Sequence, residues 1–303
     1  MRKRITTVVL IVILLTGLSL LLYPSVSDYW NSLHQSRAVI SYAEDVANID
    51  DAEYDKLWSE AVSYNQELAI SGMLWNMTDE ETARYEATLN VGASGMMSYI
   101  EIPKIGCSLP VYHGTDETVI QTSVGHIPGS SLPVGGESTH CILSSHRGLP
   151  SARLFTDLDK LEEGDQFVIR TLDEVLTYEV DQIRVVEPVD LSSLQIVEGM
   201  DYCTLVTCTP YGINTHRLLV RGRRVETVNT TETRVTADAI QIDTAVVAPF
   251  VAAPIILLLL VFLLIDTGKR RSRSRPAEHS DIERHGSGNS RRRRRWRLNG
   301  NRR

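Results

Sequence analysis

The hydrophobic pattern of the chain divides into a long apolar run near each end and short β-type runs between them. Residues 5–23 and 245–265 are apolar runs of 19 and 21 residues without a charged side chain. A helix needs about 20 such residues to cross a hydrocarbon core of about 30 Å. Both runs are therefore predicted to be transmembrane helices. A cleaved signal peptide is the alternative for the first run, although no small-residue cleavage site follows it.

The segment after the first run has the pattern of amphipathic helices. Between residues 31 and 70 there is no proline or glycine, and apolar residues recur at mixed spacings of three and four, which is typical of one or two helices. The polar sequence at residues 48–51 predicts a break between them. We assign residues 24–71 to a helical stalk. Residues 72–95 have glycines at their ends and scattered apolar residues, which predicts an irregular, lid-like arm that contains Trp75.

From residue 96 the pattern changes to short runs rich in β-branched and aromatic residues, separated by Gly, Pro and Asp breaks. Seven or eight such runs predict a mainly β fold, a closed or nearly closed barrel of about 130 residues over 96–228. A capped, periodic segment at residues 151–161 predicts one helix within it. Residues 229–244, rich in Thr and Asp, are predicted to link the barrel to the second apolar run.

The charge distribution orients the two apolar runs. Residues 24–244 carry 34 acidic and 14 basic side chains, whereas residues 269–303 carry 3 acidic and 14 basic ones. Basic residues flank the outer ends of both runs, so the positive-inside rule predicts that residues 1–4 and 266–303 are cytoplasmic and that the barrel is extracellular. The Arg-rich tail is expected to contact anionic membrane lipids. Nucleic-acid binding is the disfavoured interpretation of the same tail, and no nucleic-acid partner is predicted.

The candidate chemistry centres on Cys208, which ends an apolar run and is followed by the turn segment Pro-Tyr-Gly-Ile-Asn (210–214) and a second run. A thiol attacks carbonyls as the thiolate, which needs a base or a cation nearby. If the two runs form an antiparallel hairpin, Arg217 returns opposite Cys208. Arginine cannot act as a base, so its expected role is to bind a carbonyl oxygen or the oxyanion formed from it. The alternative at this point is that Cys208 is a packed core thiol.

His146 is the candidate acid-base partner, because it too lies where an apolar run becomes a loop. His140 and His216 are its main rivals. His216 adjoins Arg217 but alternates to the other face of the predicted strand.

The other three cysteines, Cys107, Cys141 and Cys203, do not form a zinc-site pattern, since the chain has no CxxC and no HxxxH. No metal or cofactor is predicted. Cys141 and Cys203 each precede a candidate catalytic residue by five positions, so both thiols would face away from the catalytic side if their strands are parallel neighbours. We expect free core side chains there rather than a disulfide.

The sequences "TLVTCTPYGINTHRLLVRG" (204–222) and "GGESTHCILSSHRG" (135–148) closely resemble sortases, and among them the pilus-assembling class C enzymes. The resemblance covers residues 100–224 and implies an eight-stranded sortase-like β-barrel with short helices, a helical stalk and two flanking transmembrane helices. It also implies that Cys208 is the nucleophile, His146 the general acid and Arg217 the cation that positions the substrate or oxyanion.

The reaction implied by this resemblance is transpeptidation on an LPXTG-type sorting signal. The cysteine cleaves the signal after Thr and forms a thioester, and a lysine amine of the next pilin subunit resolves it. Pilin subunits are the partners that the resemblance implies, with cell-wall precursor as the acceptor of a housekeeping sortase. Class C enzymes also carry an Asp-Pro-aromatic latch in a lid, and residues 71–81 lack the Asp-Pro pair. Trp75 is therefore the lid candidate, and an aromatic that only anchors the arm is the alternative.

Two further interpretations stay open on the sequence. An L,D-transpeptidase also uses Cys and His on a β-rich fold, but its Ser-x-Gly-Cys motif is missing here. A non-catalytic pilin-binding scaffold is the non-enzymatic alternative, and it is disfavoured because Cys208, His146 and Arg217 are all present.

Overall fold

The computed structural model describes residues 2–92, 95–227 and 256 of the 303 residues. The predictions made for the C-terminal part of the chain lie outside these residues, apart from position 256. They are the linker at 229–244, the second transmembrane helix at 245–265 and the basic tail at 266–303.

The N-terminal part is helical. The first apolar run and the start of the stalk form one continuous helix, α1 (Arg2–Asn48), which contains Pro24. By length and composition its stretch from Ile5 to Asn48 is long and apolar enough to cross a membrane. The second stalk helix is α2 (Asp51–Ser71).

The predicted break in the stalk is confirmed and has a local cause. The side chain of Asp50 accepts a hydrogen bond of 2.8 Å from the backbone N–H of Glu53, so Asp50 is the N-cap of α2. This cap starts a new helix two residues after α1 ends.

The prediction that residues 72–95 lack regular structure is wrong in part, because the arm contains helix α3 (Asp79–Ala87). Thr78 and Glu81 form a reciprocal capping box, in which the Thr78 N–H donates to Glu81 Oε2 at 2.7 Å. Tyr85 anchors α3 to the barrel, since its hydroxyl donates to the carbonyl of His126 at 3.0 Å. The arm therefore has a fixed attachment after its irregular start.

The remaining elements form the closed eight-stranded barrel that was predicted, with the short helix α4 (Glu117–Ile120) between two of its strands. Neighbouring strands are antiparallel except for the pairs β2/β3 and β4/β7, which are parallel. The strand order around the barrel is β1-β2-β3-β4-β7-β8-β6-β5. The strands are β1 (Met96–Ile102), β2 (Cys107–His113), β3 (Val124–His126), β4 (Thr139–Ser144), β5 (Gln166–Thr171), β6 (Glu174–Val186), β7 (Asp201–Thr209) and β8 (His216–Val225).

The helix predicted at residues 151–161 is wrong, and only a 3-10 turn forms there at Leu158–Lys160. Backbone N–H groups of this segment bind other parts of the chain, and that of Phe155 is thereby lost to a helical hydrogen bond. The N–H of Arg153 donates to Asp28 of α1 at 2.9 Å, and the N–H of Phe155 donates to the carbonyl of His146 at 3.1 Å. Leu154 between them has a left-handed φ of 43°, which a right-handed helix excludes.

Side chains on strands β4, β7 and β8 alternate between two apolar clusters. Inward residues such as Leu143, Leu205 and Val220 are fully buried in the main barrel core. Outward residues form a second cluster, which we call the outer apolar cluster. Its members are Ile142, Leu194, Val206 and Leu219, with Met73, Trp75, Ile127 and Val186 packed against them.

Candidate active site

Cys208 and Arg217 are cross-strand partners at one end of the β7/β8 hairpin. The antiparallel register pairs Cys208 with Arg217 and Thr209 with His216, as the hairpin prediction required. Both side chains of the first pair are partly exposed. Opposed residues on antiparallel strands have Cβ atoms only about 5 Å apart, so the sulfur and the guanidinium start from neighbouring positions on the same outward face.

The Arg217 guanidinium is held at this edge by the backbone. Its Nη1 donates to the carbonyls of Asn214 at 3.5 Å and His216 at 3.3 Å. Backbone carbonyls carry no net charge, so these bonds orient the side chain without neutralising it. The arrangement leaves a cation available to an oxyanion beside Cys208.

His146 leaves the sheet next to the end of β7. Strands β4 and β7 run parallel, with Ser144 opposite Val206. The pairing continues one residue further, because the Ser145 N–H donates to the Val206 carbonyl at 3.2 Å and Thr207 Oγ1 donates to the Ser145 carbonyl at 2.8 Å. His146 therefore emerges beside Cys208 at the same edge of the barrel.

The imidazole of His146 has one unusual nitrogen. Its Nε2 is buried and has no hydrogen-bond partner among the described residues. The nearest carboxylate oxygen, Oε1 of Glu117 on α4, is 3.8 Å away, a pair that is ionic when the ring is protonated. Sequence reasoning missed Glu117, because this residue lies in a four-residue helix well before His146 in the chain and no local pattern links the two.

The rival histidines have other roles. His140 is buried, and its Nδ1 lies 2.8 Å from the carbonyl of Gln195 while its Nε2 lies 2.7 Å from Thr204 Oγ1. Burial lowers the pKa of His140 to about 4, so the ring is neutral and structural. His216 is exposed and bonds to Thr215.

The three remaining cysteines are free and packed. Cys141 and Cys203 face each other across the parallel β4/β7 pair and lie in the barrel core, on the side opposite the Cys208 edge. Burial raises the pKa of the Cys203 thiol well above its ordinary value, and it raises the pKa of Cys107 to about 12. The Cys107 and Cys203 thiols stay protonated and do not act as nucleophiles at neutral pH.

Trp75 packs against the outer apolar cluster, which includes Val206 and Leu219. These two residues lie on the same face as Cys208 and Arg217, two positions away on each strand. The arm is held close to the barrel here, since the Leu74 N–H donates to the Gly129 carbonyl at 3.0 Å. A Cβ at Gly129 would lie 2.0 Å from the Leu74 carbonyl oxygen, so this approach requires glycine.

Arg147 ties the loop after His146 to the loop after Cys208. Its guanidinium forms an ion pair with Asp159, lies 3.5 Å from Thr209 Oγ1 and sits 6.0 Å from the ring centre of Tyr211. Sequence reasoning did not single out this residue.

Within the described part of the chain, no group of three or more His, Cys, Asp or Glu side chains could hold a metal ion.

Comparisons with known proteins agree with this architecture. A family model described as the sortase domain matches residues 100–225. The crystal structure of sortase C1 from Streptococcus agalactiae is 57% identical, covers 63% of this chain and 99% of that chain, and has a TM-score of 0.62. Sortase C of Streptococcus pneumoniae is 43% identical, covers 63% and 97%, and has a TM-score of 0.57. Sortase D of Bacillus subtilis is 30% identical over 50% of this chain and 73% of that protein.

Proposed function

The chain belongs to the sortase family and is a cysteine transpeptidase, and from this premise we propose that Cys208, His146 and Arg217 are its catalytic residues. The observation that carries the proposal is the register of strand β7. On one side of β7, strand β8 has Arg217 directly opposite Cys208. On the other side, strand β4 runs parallel to β7 and continues toward His146. A nucleophile, a proton carrier and an oxyanion cation thus share one edge of the barrel, which we assign to a catalytic domain over residues 96–228.

In the proposed first half-reaction, the Cys208 thiolate attacks the Thr carbonyl carbon of an LPXTG-type sorting signal. The carbonyl oxygen becomes an oxyanion, and the Arg217 guanidinium stabilises it. As the tetrahedral intermediate collapses, the bond to the Gly nitrogen breaks and His146 gives its proton to the departing amine. The acyl group remains on Cys208 as a thioester.

In the second half-reaction, a lysine amine of the next pilin subunit attacks the thioester carbon. The amine loses a proton to His146, the carbon–sulfur bond breaks, and Cys208 returns to the thiolate form. The product is an isopeptide bond between two subunits. An apolar surface next to the thioester favours an amine over water as the acceptor, and the outer apolar cluster supplies such a surface.

We propose that Trp75 is the residue by which the arm covers this surface. It contacts the outer apolar cluster on the face that carries Cys208. The Asp-Pro pair of the class C latch is missing from this arm, so packing by the indole ring replaces it in the proposal. An arm that keeps Trp75 in place limits access to the sulfur, and displacement of the arm admits the sorting signal.

The assignment to pilus assembly draws on the helical stalk, the arm and the identity of the related structures. The 57% identical structure is a sortase C1 and is covered almost completely. The crystal structure of Streptococcus pneumoniae sortase C provides insights into pilin substrate specificity for that enzyme.

We further propose that residues 5–23 of α1 span the cell membrane, with the barrel on the outer side and both termini in the cytoplasm.

The test is a transfer assay with the full chain in detergent. It is incubated with a sorting-signal peptide and two acceptors, a pilin fragment that offers its lysine and an amine analogue of cell-wall precursor. We expect cleavage between Thr and Gly and an isopeptide product with the pilin lysine, both absent with Cys208→Ala. Transfer to the precursor amine alone would identify a housekeeping enzyme, and binding without cleavage would identify a scaffold.

A further inference from the structure

The loop between β7 and β8 exposes two large apolar side chains next to the catalytic cysteine. Tyr211 is 60% exposed and Ile213 is 69% exposed, although both follow Cys208 within five residues. The loop packs against the loop that follows His146, since the Tyr211 ring lies 3.0 Å from the position that a Cβ on Gly148 would take. The Tyr211 ring therefore contacts the His146 loop on one side, while most of its surface, like that of Ile213, stays exposed.

Helix α1 is attached to the same end of the barrel. The side-chain amide of Asn31 donates to the Ser151 carbonyl at 2.8 Å, and Asp28 accepts from the Arg153 N–H at 2.9 Å. A cavity of about 290 Å³ lies between α1 and the two loops of the active-site edge. Its lining includes Pro24 and Ser25 from α1, Leu149 and Pro150 from the His146 loop, and Tyr211.

The position of these contacts along α1 gives the depth of the loop. The apolar run ends at Tyr23, and a helix rises about 1.5 Å per residue, so Ser25 and Asp28 lie about 3 Å and about 7.5 Å beyond it. The headgroup layer on each side of a bilayer is about 5 to 7.5 Å thick. Tyr211 shares a cavity with Pro24, Ser25 and Asp28 and therefore lies at the level of the headgroups if residues 5–23 span the membrane.

The side chains of α1 at this level have the composition of a membrane interface. Tyr23 and Val26 are exposed at this level, and Tyr29 and Trp30 are exposed just beyond it, about 9 and about 10.5 Å past the end of the apolar run. Tyrosine and tryptophan are enriched at the boundary between hydrocarbon and water, because their rings are apolar and their polar atoms stay hydrated. The exposed side chains of Tyr211 and Ile213 extend this apolar level from the helix to the barrel.

We propose that residues 210–215 form a membrane-contacting loop, in which Tyr211 and Ile213 enter the headgroup layer of the bilayer that α1 crosses. The inference rests on the proposed span of residues 5–23. Two attachments, a helix through the bilayer and an apolar loop on its surface, fix the orientation of the barrel. The catalytic edge then opens at the membrane surface, where a polypeptide anchored in the same bilayer reaches Cys208 at a high effective concentration.

The test measures the depth of residue 213 in the full chain reconstituted into phosphatidylcholine and phosphatidylglycerol vesicles. A nitroxide is attached to Ile213→Cys in a Cys208→Ala background, and its accessibility to oxygen is compared with its accessibility to a water-soluble nickel chelate. Leu20→Cys in the apolar run and Ala52→Cys in the first turn of α2 serve as matched exposed positions. The background protein without an added cysteine reports any labelling of the buried thiols.

We expect oxygen preference to be highest at position 20, intermediate at position 213 and lowest at position 52. A label at position 213 that is as accessible to the chelate as the label at position 52 would overturn the proposal. A label at position 20 in water would instead overturn the span on which it rests. Neither result depends on catalysis, so both are separate from failure of the proposed reaction.

A second readout uses Ile213→Ser with Val189→Ser as the control for an exposed valine on another loop. We expect Ile213→Ser to slow turnover of a bilayer-anchored sorting signal by at least about threefold. The reason is that serine loses the favourable transfer of the Ile213 side chain from water into the bilayer. Turnover of a soluble peptide should be unchanged in both variants. Equal losses on the two substrates would contradict a role in membrane contact.

Discussion

Strand β7 carries two cysteines that belong to different regions of the molecule. Cys203 is fully buried in the barrel core beside Cys141, and burial raises its pKa well above the ordinary value. Cys208, five residues later, lies at the strand end on the outer side, opposite Arg217. Since side chains alternate along a strand, an odd spacing of five moves the second thiol to the other face. Position on the strand, rather than residue type, separates an inert thiol from a proposed nucleophile.

Strand β4 repeats this contrast with histidines. His140 lies within the sheet, and both of its ring nitrogens have protein partners. His146 lies past the strand end and has a ring nitrogen without a hydrogen-bond partner in the described structure. Groups that are fully bonded inside the sheet stabilise the fold, whereas the groups at its edge keep capacity for a substrate.

The largest expected effect comes from substituting the two cysteines separately. Cys208→Ala should reduce acyl transfer by at least about 10⁴-fold, because the covalent route is removed. Cys203→Ala should leave kcat within about threefold but lower the free energy of unfolding by about 1 to 2 kcal/mol, through loss of core packing. Peptide-transfer kinetics and urea unfolding measure the two effects. A large loss of kcat in Cys203→Ala with normal stability would break the comparison.

Arg217→Ala should lower kcat by about 10² to 10³-fold with a smaller change in KM, as expected for a donor that acts mainly on the oxyanion. Arg223→Ala is the matched control, since it removes an exposed arginine from the same face of β8 at the far end from Cys208. Steady-state kinetics with a sorting-signal peptide distinguish the two. An effect of Arg217→Ala on KM alone would limit Arg217 to ground-state binding.

The contrast between the histidines predicts a pH dependence of stability. The pKa of His140 is about 4 in the folded state against 6.5 for the ordinary group, so the unfolded state binds the extra proton first. Stability is therefore fully present above about pH 6.5 and falls as the pH is lowered toward 4, by about 3 kcal/mol from this residue. His140→Gln should flatten this part of the profile in urea unfolding. An unchanged acid slope would mean that His140 is not the cause.

The proposed cover of the catalytic face predicts a smaller effect. Trp75→Ala should raise the rate of Cys208 alkylation about three- to tenfold, because the indole ring is removed from the surface that adjoins the sulfur. Trp30→Ala, which removes an exposed ring from α1, should leave the rate unchanged. Equal rates in Trp75→Ala and the unmodified chain would indicate that Trp75 only anchors the arm.

The sequence predicted those parts of the fold that follow from the alternation of side chains along a strand and from the pairing of adjacent strands. Strand alternation and the hairpin turn were enough to pair Cys208 with Arg217, and equal offsets of five predicted the faces of Cys141 and Cys203. Strand β3 was not predicted, because its three residues are too few to show an alternating pattern. Helix formation at residues 151–161 was overridden by a contact with another segment, because the Phe155 N–H binds the His146 carbonyl instead of the carbonyl four residues before it.

The approach of Glu117 to His146 depends on contacts between distant parts of the chain. No local pattern reports such a contact, so this part of the candidate site could be found only in the folded molecule.

The most direct measurement is to trap the acyl-enzyme. The full chain is incubated with a sorting-signal peptide in the absence of an amine acceptor, quenched in acid, digested and mapped by mass spectrometry. The account predicts a hydroxylamine-sensitive adduct with the mass of the peptide up to Thr, which fragmentation in the mass spectrometer localises to Cys208 and to none of Cys107, Cys141 and Cys203. An adduct on another residue, or continued transfer by Cys208→Ala, would contradict it.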